Sequence, residues 1–340
     1  MSRLQLSELW FLLIAFMFTL FFVLEGFDFG VGTVARFLGW DDYEKRVYLN
    51  SIGPFWDANE VWLISAGAAM FAAFPHWYAT FFSGFYIAFV FMLLALILRG
   101  VAFEFRGKVD NPLWKKVWDG ALFFGSVVPP FLWGVALTNF MTGVPIDENK
   151  EMLGGFLQLL HPFALLGGVM FTLLCIVHGL QFITLRTVGE LQQRARVASA
   201  KFTPVALISL LVFAAIGLWK TDIFTAHGPG WIALPVLAWG ALLLSGVFNK
   251  QQRNGLSFLM TTITIIALTA SVFIGLFPRV MISTLGAAND LTVYNASSGD
   301  YSLKVMSYIS LTLIPFVLAY QGWSYYVFRE RLKGKDQLEY

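Results

Sequence analysis

Charged residues are scarce in this chain of 340 residues: Asp, Glu, Lys and Arg together make up 13% of it, and hydrophobic residues make up 58%. Soluble domains carry about 25% charged residues, so the composition excludes an ordinary soluble globular protein. The formal net charge of +2 is too small to indicate nucleic-acid binding. We therefore predict an integral membrane protein.

Cysteine and histidine are also rare. The single cysteine, Cys175, lies in an apolar run, which excludes an intramolecular disulfide framework and a cysteine-ligated metal cluster. Of the four histidines, only His178 lies inside an apolar run, and it has no second strong ligand at a fixed spacing. The sequence also lacks HExxH, GxSxG, CxxC and Gly-rich nucleotide motifs. We expect this chain itself to bind no metal and no haem.

Long apolar runs dominate what is present. Each run has about 20 residues, the length of a membrane-spanning helix, and alternating barrel strands are absent. The runs predict an all-α polytopic membrane protein with nine transmembrane helices, laid out as two four-helix bundles plus one peripheral helix. Runs six and seven are shorter than a membrane-spanning helix usually is. The nine runs are Leu9–Val31, Ser51–Phe74, Trp77–Leu98, Val117–Phe140, Phe163–Leu185, Pro204–Trp219, Trp231–Val247, Leu256–Phe277 and Val305–Phe328.

Basic residues separate between the two sets of connections that these runs define. Of the 23 Lys and Arg residues, 18 follow odd-numbered runs, including Lys333 and Lys335 in the C-terminal tail. Because cytoplasmic loops are rich in Lys and Arg, we predict an N-terminus outside and a C-terminus in the cytoplasm. The first run is expected to be an uncleaved span, and residues 1–340 a single integral membrane domain.

Two carboxylates interrupt the end of the first run. Glu25 and Asp28 are three residues apart and therefore share one helical face. Their position near the predicted cytoplasmic end allows two interpretations. They form either an ordinary pair at the water interface or the entrance of a proton path that faces the bundle interior.

The stretch Asn50–Trp62 places further polar residues at the start of the second run. Asp57 and Glu60 are also three residues apart, and a central carboxylate costs about 2.5 to 3.5 kcal/mol on insertion. They are either interior functional groups, or Asp57 is a helix cap that follows re-entrant backbone. Arg99, at the end of the third run, is the expected counter-charge for Asp57. Glu104 lies further along the charged cytoplasmic rim.

At these residues the chain resembles subunit II of the cytochrome bd-type quinol oxidases. The motifs lie in the family's order along the chain, and the family also has nine spans with its N-terminus outside. The matching motifs are EGFDFGVG (Glu25–Gly32), NSIGPFWDANEVWL (Asn50–Leu63), FSGFY (Phe82–Tyr86), RGVAFEFR (Arg99–Arg106), GSVVPP (Gly125–Pro130), TVGEL (Thr187–Leu191), and VYNASS followed by LKVM (Val293–Met306).

The resemblance implies an accessory subunit without haem, in a complex that oxidises quinol and reduces oxygen to water, electrogenically but without proton pumping. Haems b and d would lie on the partner, subunit I, which this chain would stabilise in a bacterial-type plasma membrane. Small single-span subunits and a bound quinone are also compatible with the resemblance.

The resemblance also implies a route for protons or oxygen, and it implies that protons move along the polar residues described above. Asp57 matches the family carboxylate assigned to a proton route. Many relatives have Gly-Asn-Gln where this chain has Ala58-Asn59-Glu60, so Glu60 is an additional ionisable group. The residues assigned to the proton route are Asp57, Glu60, Glu25 and Asp28, with Arg99 as their electrostatic partner, and those predicted to line or support the route are Trp56, Asn59, Trp62 and Glu104.

Two other functions are compatible with the residues alone. A stand-alone proton-coupled transporter would also need carboxylates inside the membrane, although no internal repeat is detectable. A purely structural scaffold would use the same polar groups to hold helices together.

Overall fold

The computed structural model describes residues 3–225 and 227–332, so Lys333 and Lys335, which entered the count of basic residues, lie outside the described residues. The described part is almost entirely helical, as the apolar runs predict. Its α-helices are α1 (Arg3–Leu38), α2 (Asp42–Ile52), α3 (Trp56–Ala73), α4 (Pro75–Gly84), α5 (Tyr86–Phe105), α6 (Pro112–Thr142), α7 (Pro162–Arg186), α8 (Gly189–Lys220), α9 (Ala233–Lys250), α10 (Asn254–Leu276) and α11 (Asp300–Val327).

Eight helices in the described part are long and apolar enough to cross a membrane. They correspond to eight of the nine predicted spans. The second predicted span falls on α3, which has 18 residues and is not among the eight. Its polar first turns, with Asp57, Asn59 and Glu60, lower its mean hydropathy, so the ninth crossing stays a prediction.

The two spans that the sequence makes short are not short helices. Run six lies within α8, which has 32 residues, and run seven lies within the 21-residue range Gly230–Lys250, which begins as a 3-10 turn and continues as α9. Run six underestimates the length of α8, because polar residues such as Arg194 and Arg196 continue this helix beyond its apolar part.

Helix α1 lies at the centre of the fold, where it packs against α3, α6, α7 and α10. Its contact with α7 is backbone to backbone: a Cβ on Gly30 would collide with the Cys175 carbonyl and Gly179. Glycines permit this close approach because they lack a side chain. The first bundle is formed by α1, α3, α5 and α6, and the second by α7, α8, α9 and α10.

Helix α11 is the predicted peripheral helix. Only Leu303 and Ser307 are buried among its described side chains. Its end is held by Arg186, whose guanidinium donates to the carbonyls of Phe328 and Glu330, while the Leu332 N–H donates to the Arg186 carbonyl at 2.8 Å. These contacts fix the end of a helix that packs loosely elsewhere.

Helices α3 and α5 diverge from each other. Helix α3 packs on α1 and α11, whereas α5 packs on α6. Helix α4 continues into α5 through Phe85, whose N–H donates to the Phe81 carbonyl and whose carbonyl accepts from the Phe89 N–H. A cavity of about 850 Å³ lies between α3 and the α4–α5 segment, and most of its lining residues are aromatic or aliphatic.

A short helix at the predicted cytoplasmic side precedes this region. Helix α2 is fixed on one side by an ion pair between Glu44 and Arg194. On the other side, Arg106 bridges Asp42 and Asp119 at 2.8 and 2.6 Å. At the opposite end of the molecule the long loops carry an antiparallel pair of strands, β1 (Arg279–Met281) and β2 (Leu291–Thr292).

Candidate functional site

Helix α1 carries both of its carboxylates into the interior: the Glu25 and Asp28 side chains are 0% exposed. The interpretation that they form an ordinary pair at the water interface is therefore wrong. The apolar run ends near Val31, but α1 continues to Leu38, ten residues beyond Asp28. Ten residues of α-helix span about 15 Å, which places both carboxylates well inside the bundle.

Arg99 on α5 meets these carboxylates from the other side. Its guanidinium forms an ion pair with Glu25, lies 3.3 Å from Oε1 of Glu60, and stacks 4.8 Å from the centre of the Phe29 ring. The prediction that Arg99 pairs with Asp57 is wrong. Asp57 lies one turn nearer the start of α3, so the guanidinium reaches Glu60 instead.

Asn59 links Asp28 to α11. Its Nδ2 donates to Oδ2 of Asp28 at 2.6 Å, and its Oδ1 accepts from Nε2 of Gln321 at 3.0 Å and from the Tyr325 hydroxyl at 2.8 Å. The Tyr325 ring stacks on Phe55 with the ring centres 4.4 Å apart. Sequence reasoning placed Asn59 only as a lining residue, whereas the structure places it at the junction of three helices.

Gln321 and Tyr325 are site residues that the sequence reasoning missed. They are four residues apart in an otherwise apolar span, so they share one face of α11. A glutamine inside a predicted span was the available signal, because an amide in lipid requires a partner.

Asp57 and Glu60 line the cavity between α3 and α5, together with Trp56. Asp57 is exposed and Glu60 is half-buried, so the two carboxylates mark successive depths from the start of α3. Trp56 stacks on Phe103 with the ring centres 5.0 Å apart.

The other two predicted lining residues lie elsewhere. Trp62 is buried against Phe16 and does not line this cavity. Glu104 is exposed and lines a separate polar crevice on the rim with Arg106 and Lys108. The sequence could not separate them from the cluster, because both are near its members in the chain but project away from them.

The capping interpretation of Asp57 is also wrong in detail. The residue that caps α3 is Phe55, which makes no side-chain capping hydrogen bond, and Asp57 is the second residue of the helix. Residues 50–55 are the end of α2 and a turn at Gly53 and Pro54, so the stretch that precedes α3 is a separate element, as that interpretation required. A carboxylate in the first turn is favoured by the helix dipole.

We define the buried cluster as Glu25, Asp28, Asn59, Glu60 and Arg99. It contains three carboxyl groups and one guanidinium. Glu25 and Asp28 lie one turn apart on α1, and one buried oxygen of each, Oε2 of Glu25 and Oδ1 of Asp28, has no hydrogen-bond partner among the described residues. Two neighbouring buried carboxyl groups beside a single guanidinium are costly to keep ionised together, so the arrangement is chemically suited to hold and exchange a proton.

His178, the histidine within a span, does not fit a haem ligand. Its Nδ1 lies 2.7 Å from the Thr261 hydroxyl, its Nε2 lies 3.0 Å from the Val23 carbonyl, and its ring stacks on Phe258 with the centres 4.6 Å apart. Both ring nitrogens are engaged, so neither is available to iron. No group of three or more His, Cys, Asp or Glu side chains in the described part is arranged to hold a metal ion.

Comparison with known proteins agrees with this architecture. The chain is 53% identical over 336 residues to the cytochrome bd ubiquinol oxidase subunit 2 of Bacillus subtilis (strain 168), covering 99% of each chain. It is 36% identical over 367 residues to the cytochrome bd-I ubiquinol oxidase subunit 2 of Escherichia coli (strain K12), covering 97% of this chain and 96% of that one.

A solved structure described as bd oxidase from Geobacillus thermodenitrificans has the same fold, with a TM-score of 0.73 at 16% identity over 93% of this chain and 97% of that one. The family model described as cytochrome bd terminal oxidase subunit II matches residues 6–328. The resemblance in the sequence motifs is thereby confirmed, and the chain belongs to the cytochrome bd terminal oxidase subunit II family.

Proposed function

We propose that this chain is the haem-free accessory subunit of a quinol:oxygen oxidoreductase, and that its buried cluster conveys protons from the cytoplasm toward the site of oxygen reduction. The names of its relatives support ubiquinol as the electron donor of such a complex. Subunit I would carry haems b and d, which supply the electron transfer and oxygen chemistry. The chain itself is a multi-pass protein of the bacterial inner membrane.

The arrangement of ionisable groups supports a route with three stages. Asp57 is exposed at the cavity between α3 and α5, where it can exchange protons with water. Glu60 lies one turn deeper and contacts the Arg99 guanidinium at 3.3 Å. Arg99 also contacts Glu25, and Asp28 lies one turn from Glu25 on α1, so protons would move inward along carboxyl groups gathered around one cation.

The observation that carries the proposal is the fully buried ion pair of Glu25 with Arg99, with the buried Asp28 one turn away on α1. Burying a carboxylate is costly unless it is paired or protonated, and a purely structural contact would need only one carboxylate for one guanidinium. The cluster holds two additional carboxyl groups, Asp28 and Glu60. Arg99 would keep the net charge small while a proton passes, because its guanidinium remains protonated.

The test uses the complex assembled with subunit I, in which quinol-driven oxygen consumption is measured. Removal of a proton-transfer group typically slows a reaction by about 10²- to 10⁴-fold, so we expect Glu25→Gln and Asp57→Asn each to slow oxygen consumption at least about tenfold, with the haem absorbance unchanged. Asp110→Asn is the matched control, since this carboxylate is fully exposed at the same end of the molecule.

Unchanged oxygen consumption in both variants would remove the cluster from the reaction. Loss of haem absorbance together with oxygen consumption would instead indicate that the cluster holds the complex together, which is the scaffold function.

A further inference from the structure

The second bundle contains a buried polar region that the proposed function does not use. Six side chains from all four of its helices define it, and we call it the polar column: Asn249, Ser199, Gln181, Ser257, Thr261 and His178. Each of them is less than 3% exposed. Lipid-facing side chains of these helices are apolar, so the polar ones are gathered in the bundle interior.

Separate hydrogen bonds join pairs of neighbouring helices at the levels of the column. Asn249 Nδ2 donates to the Arg196 carbonyl at 3.0 Å, and Gln181 Nε2 donates to Oγ of Ser199 at 2.6 Å. Further in, Oγ of Thr261 lies 2.7 Å from Nδ1 of His178. Gln181 and His178 are three residues apart, as Ser257 and Thr261 are four apart, so successive levels are separated by about 5 Å, one helical turn.

Several polar atoms in this region have no protein partner. They are Oε1 of Gln181, Oδ1 of Asn249 and Oγ of Ser245, which lies beside the column because its carbonyl accepts from Oγ of Ser257 at 2.7 Å. A buried polar atom without a partner costs about 1 to 3 kcal/mol. Water is the small molecule that can donate to the amide oxygens and also bond with the hydroxyl.

The column has one polar end and one apolar end. At the predicted cytoplasmic end, the half-buried Arg196 lies 3.3 Å from Oδ1 of Asn254. The interior of the column is therefore close to solvent at this end. At the inner end, Nε2 of His178 contacts the Val23 carbonyl of α1. Cys175 lies one turn beyond His178 and is buried among apolar residues of the core.

We propose that the polar column is a water-binding site that opens to the cytoplasmic face and brings water as far as His178. It lies across α1 from the buried cluster and does not depend on the proton route proposed above. The inner end suits a group in contact with water, because the Thr261 hydroxyl can donate either to Nδ1 of His178 or to the Phe258 carbonyl, 2.8 Å away. The His178 ring therefore keeps its contacts with the Thr261 hydroxyl and with the Val23 carbonyl when Nδ1 carries a proton.

Cysteine accessibility to Ag⁺, an ion similar in size to water, tests the site. The chain has a single native cysteine, so Ser257→Cys and Thr261→Cys can each be compared with Cys175 in the same molecule. Ser271→Cys is the matched control on α10, since Ser271 is also buried but lies outside the column and donates to the Leu268 carbonyl at 2.7 Å. Inside-out membrane vesicles that contain the assembled complex are treated with Ag⁺, then denatured, and the remaining free thiols are alkylated and quantified by mass spectrometry.

A core thiol reacts only when the structure opens locally, so we expect Ser257→Cys to react at least about tenfold faster than Ser271→Cys and Cys175. Thr261→Cys, at the inner level, should react more slowly than Ser257→Cys, and adding Gln181→Leu should slow it further. Reaction of both column cysteines as slowly as Cys175 would overturn the proposal. Equal reaction at all four positions would also overturn it, because a general loosening of the bundle, and not a column, would then admit the ion.

Discussion

The two buried polar regions of this molecule differ in charge and in setting. The buried cluster combines three carboxyl groups with Arg99 and lies beside the cavity where α3 and α5 diverge. The polar column consists of amides, hydroxyls and one imidazole inside the closed bundle of α7, α8, α9 and α10. The cluster therefore depends on charge balance and the column on hydrogen bonding.

This difference predicts different penalties for substitution. Leaving an ion unpaired inside a protein costs more than leaving one neutral hydrogen bond unmade. Arg99→Leu and Gln181→Leu test that contrast, and Gly30→Ala tests the packing of α1, the helix that lies between the two regions.

The largest effect is expected for Arg99→Leu, which leaves Glu25, Asp28 and Glu60 without their cation. We expect a loss of about 3 to 5 kcal/mol in the free energy of unfolding, measured by chemical denaturation of the assembled complex in detergent. Gln181→Leu in the column should cost far less. Adding Glu25→Leu to Arg99→Leu should restore part of the stability, and an Arg99→Leu chain as stable as Gln181→Leu would contradict the contrast.

Helix α1 couples the two regions through Gly30, where a Cβ would overlap the backbone of α7. Gly30→Ala should force α1 and α7 apart and destabilise the protein by about 1 to 3 kcal/mol, as overpacking does. The same denaturation measurement checks it. Gly67→Ala on α3 is the matched control because the space beside Gly67 is open, and equal stability of the two variants would show that the close contact is not required.

Tyr325 joins the peripheral helix to the buried cluster by one hydrogen bond to Asn59. Tyr325→Phe keeps the ring stacked on Phe55 and removes only this bond. We therefore expect a loss of about 0.5 to 1.5 kcal/mol in the free energy of unfolding, measured by the same chemical denaturation. Tyr320→Phe on the exposed side of α11 should have no effect. A similar loss in both variants would mean that the hydroxyl at Asn59 contributes nothing specific.

The ion pair of α2 with α8 provides a surface comparison for both regions. The hydrogen bond from Arg194 lowers the pKa of the Glu44 carboxyl below its ordinary value of 4.5. A lowered folded-state pKa means that the stabilisation is complete above the ordinary value and is lost as the pH falls through the lowered one.

Glu44→Gln should therefore cost at most about 1 kcal/mol at neutral pH. The difference from the unchanged chain should disappear at acidic pH, measured as the midpoint of thermal unfolding across a pH series. A difference that grows with acidity would contradict the sign.

The sequence predicted the helical architecture and which residues are chemically unusual, because apolar runs and isolated carboxylates are local features. It placed Glu25, Asp28, Asp57, Glu60 and Arg99 in one region, and the structure gathers all of them except Asp57 in the buried cluster, where Asp28 is held through Asn59. It assigned Arg99 the wrong partner, since pairing depends on the depth at which α5 and α3 meet.

The sequence also did not predict contacts between distant parts of the chain, because these contacts depend on how the helices pack. Gln321 and Tyr325 reach Asn59 across more than 260 residues. Their position is fixed by the packing of α11 and by the Arg186 contact at its end, and neither is encoded in local periodicity.

The most direct test of the central claim is infrared difference spectroscopy of the assembled complex, in which the carbonyl stretch of protonated carboxyl groups is followed in H₂O and D₂O at neutral pH. We predict a band from a protonated carboxyl group that shifts in D₂O, is lost in Glu25→Gln and is unchanged in Asp110→Asn. A spectrum in which Glu25→Gln removes no protonated-carboxyl band would contradict the claim that the buried cluster holds an exchangeable proton.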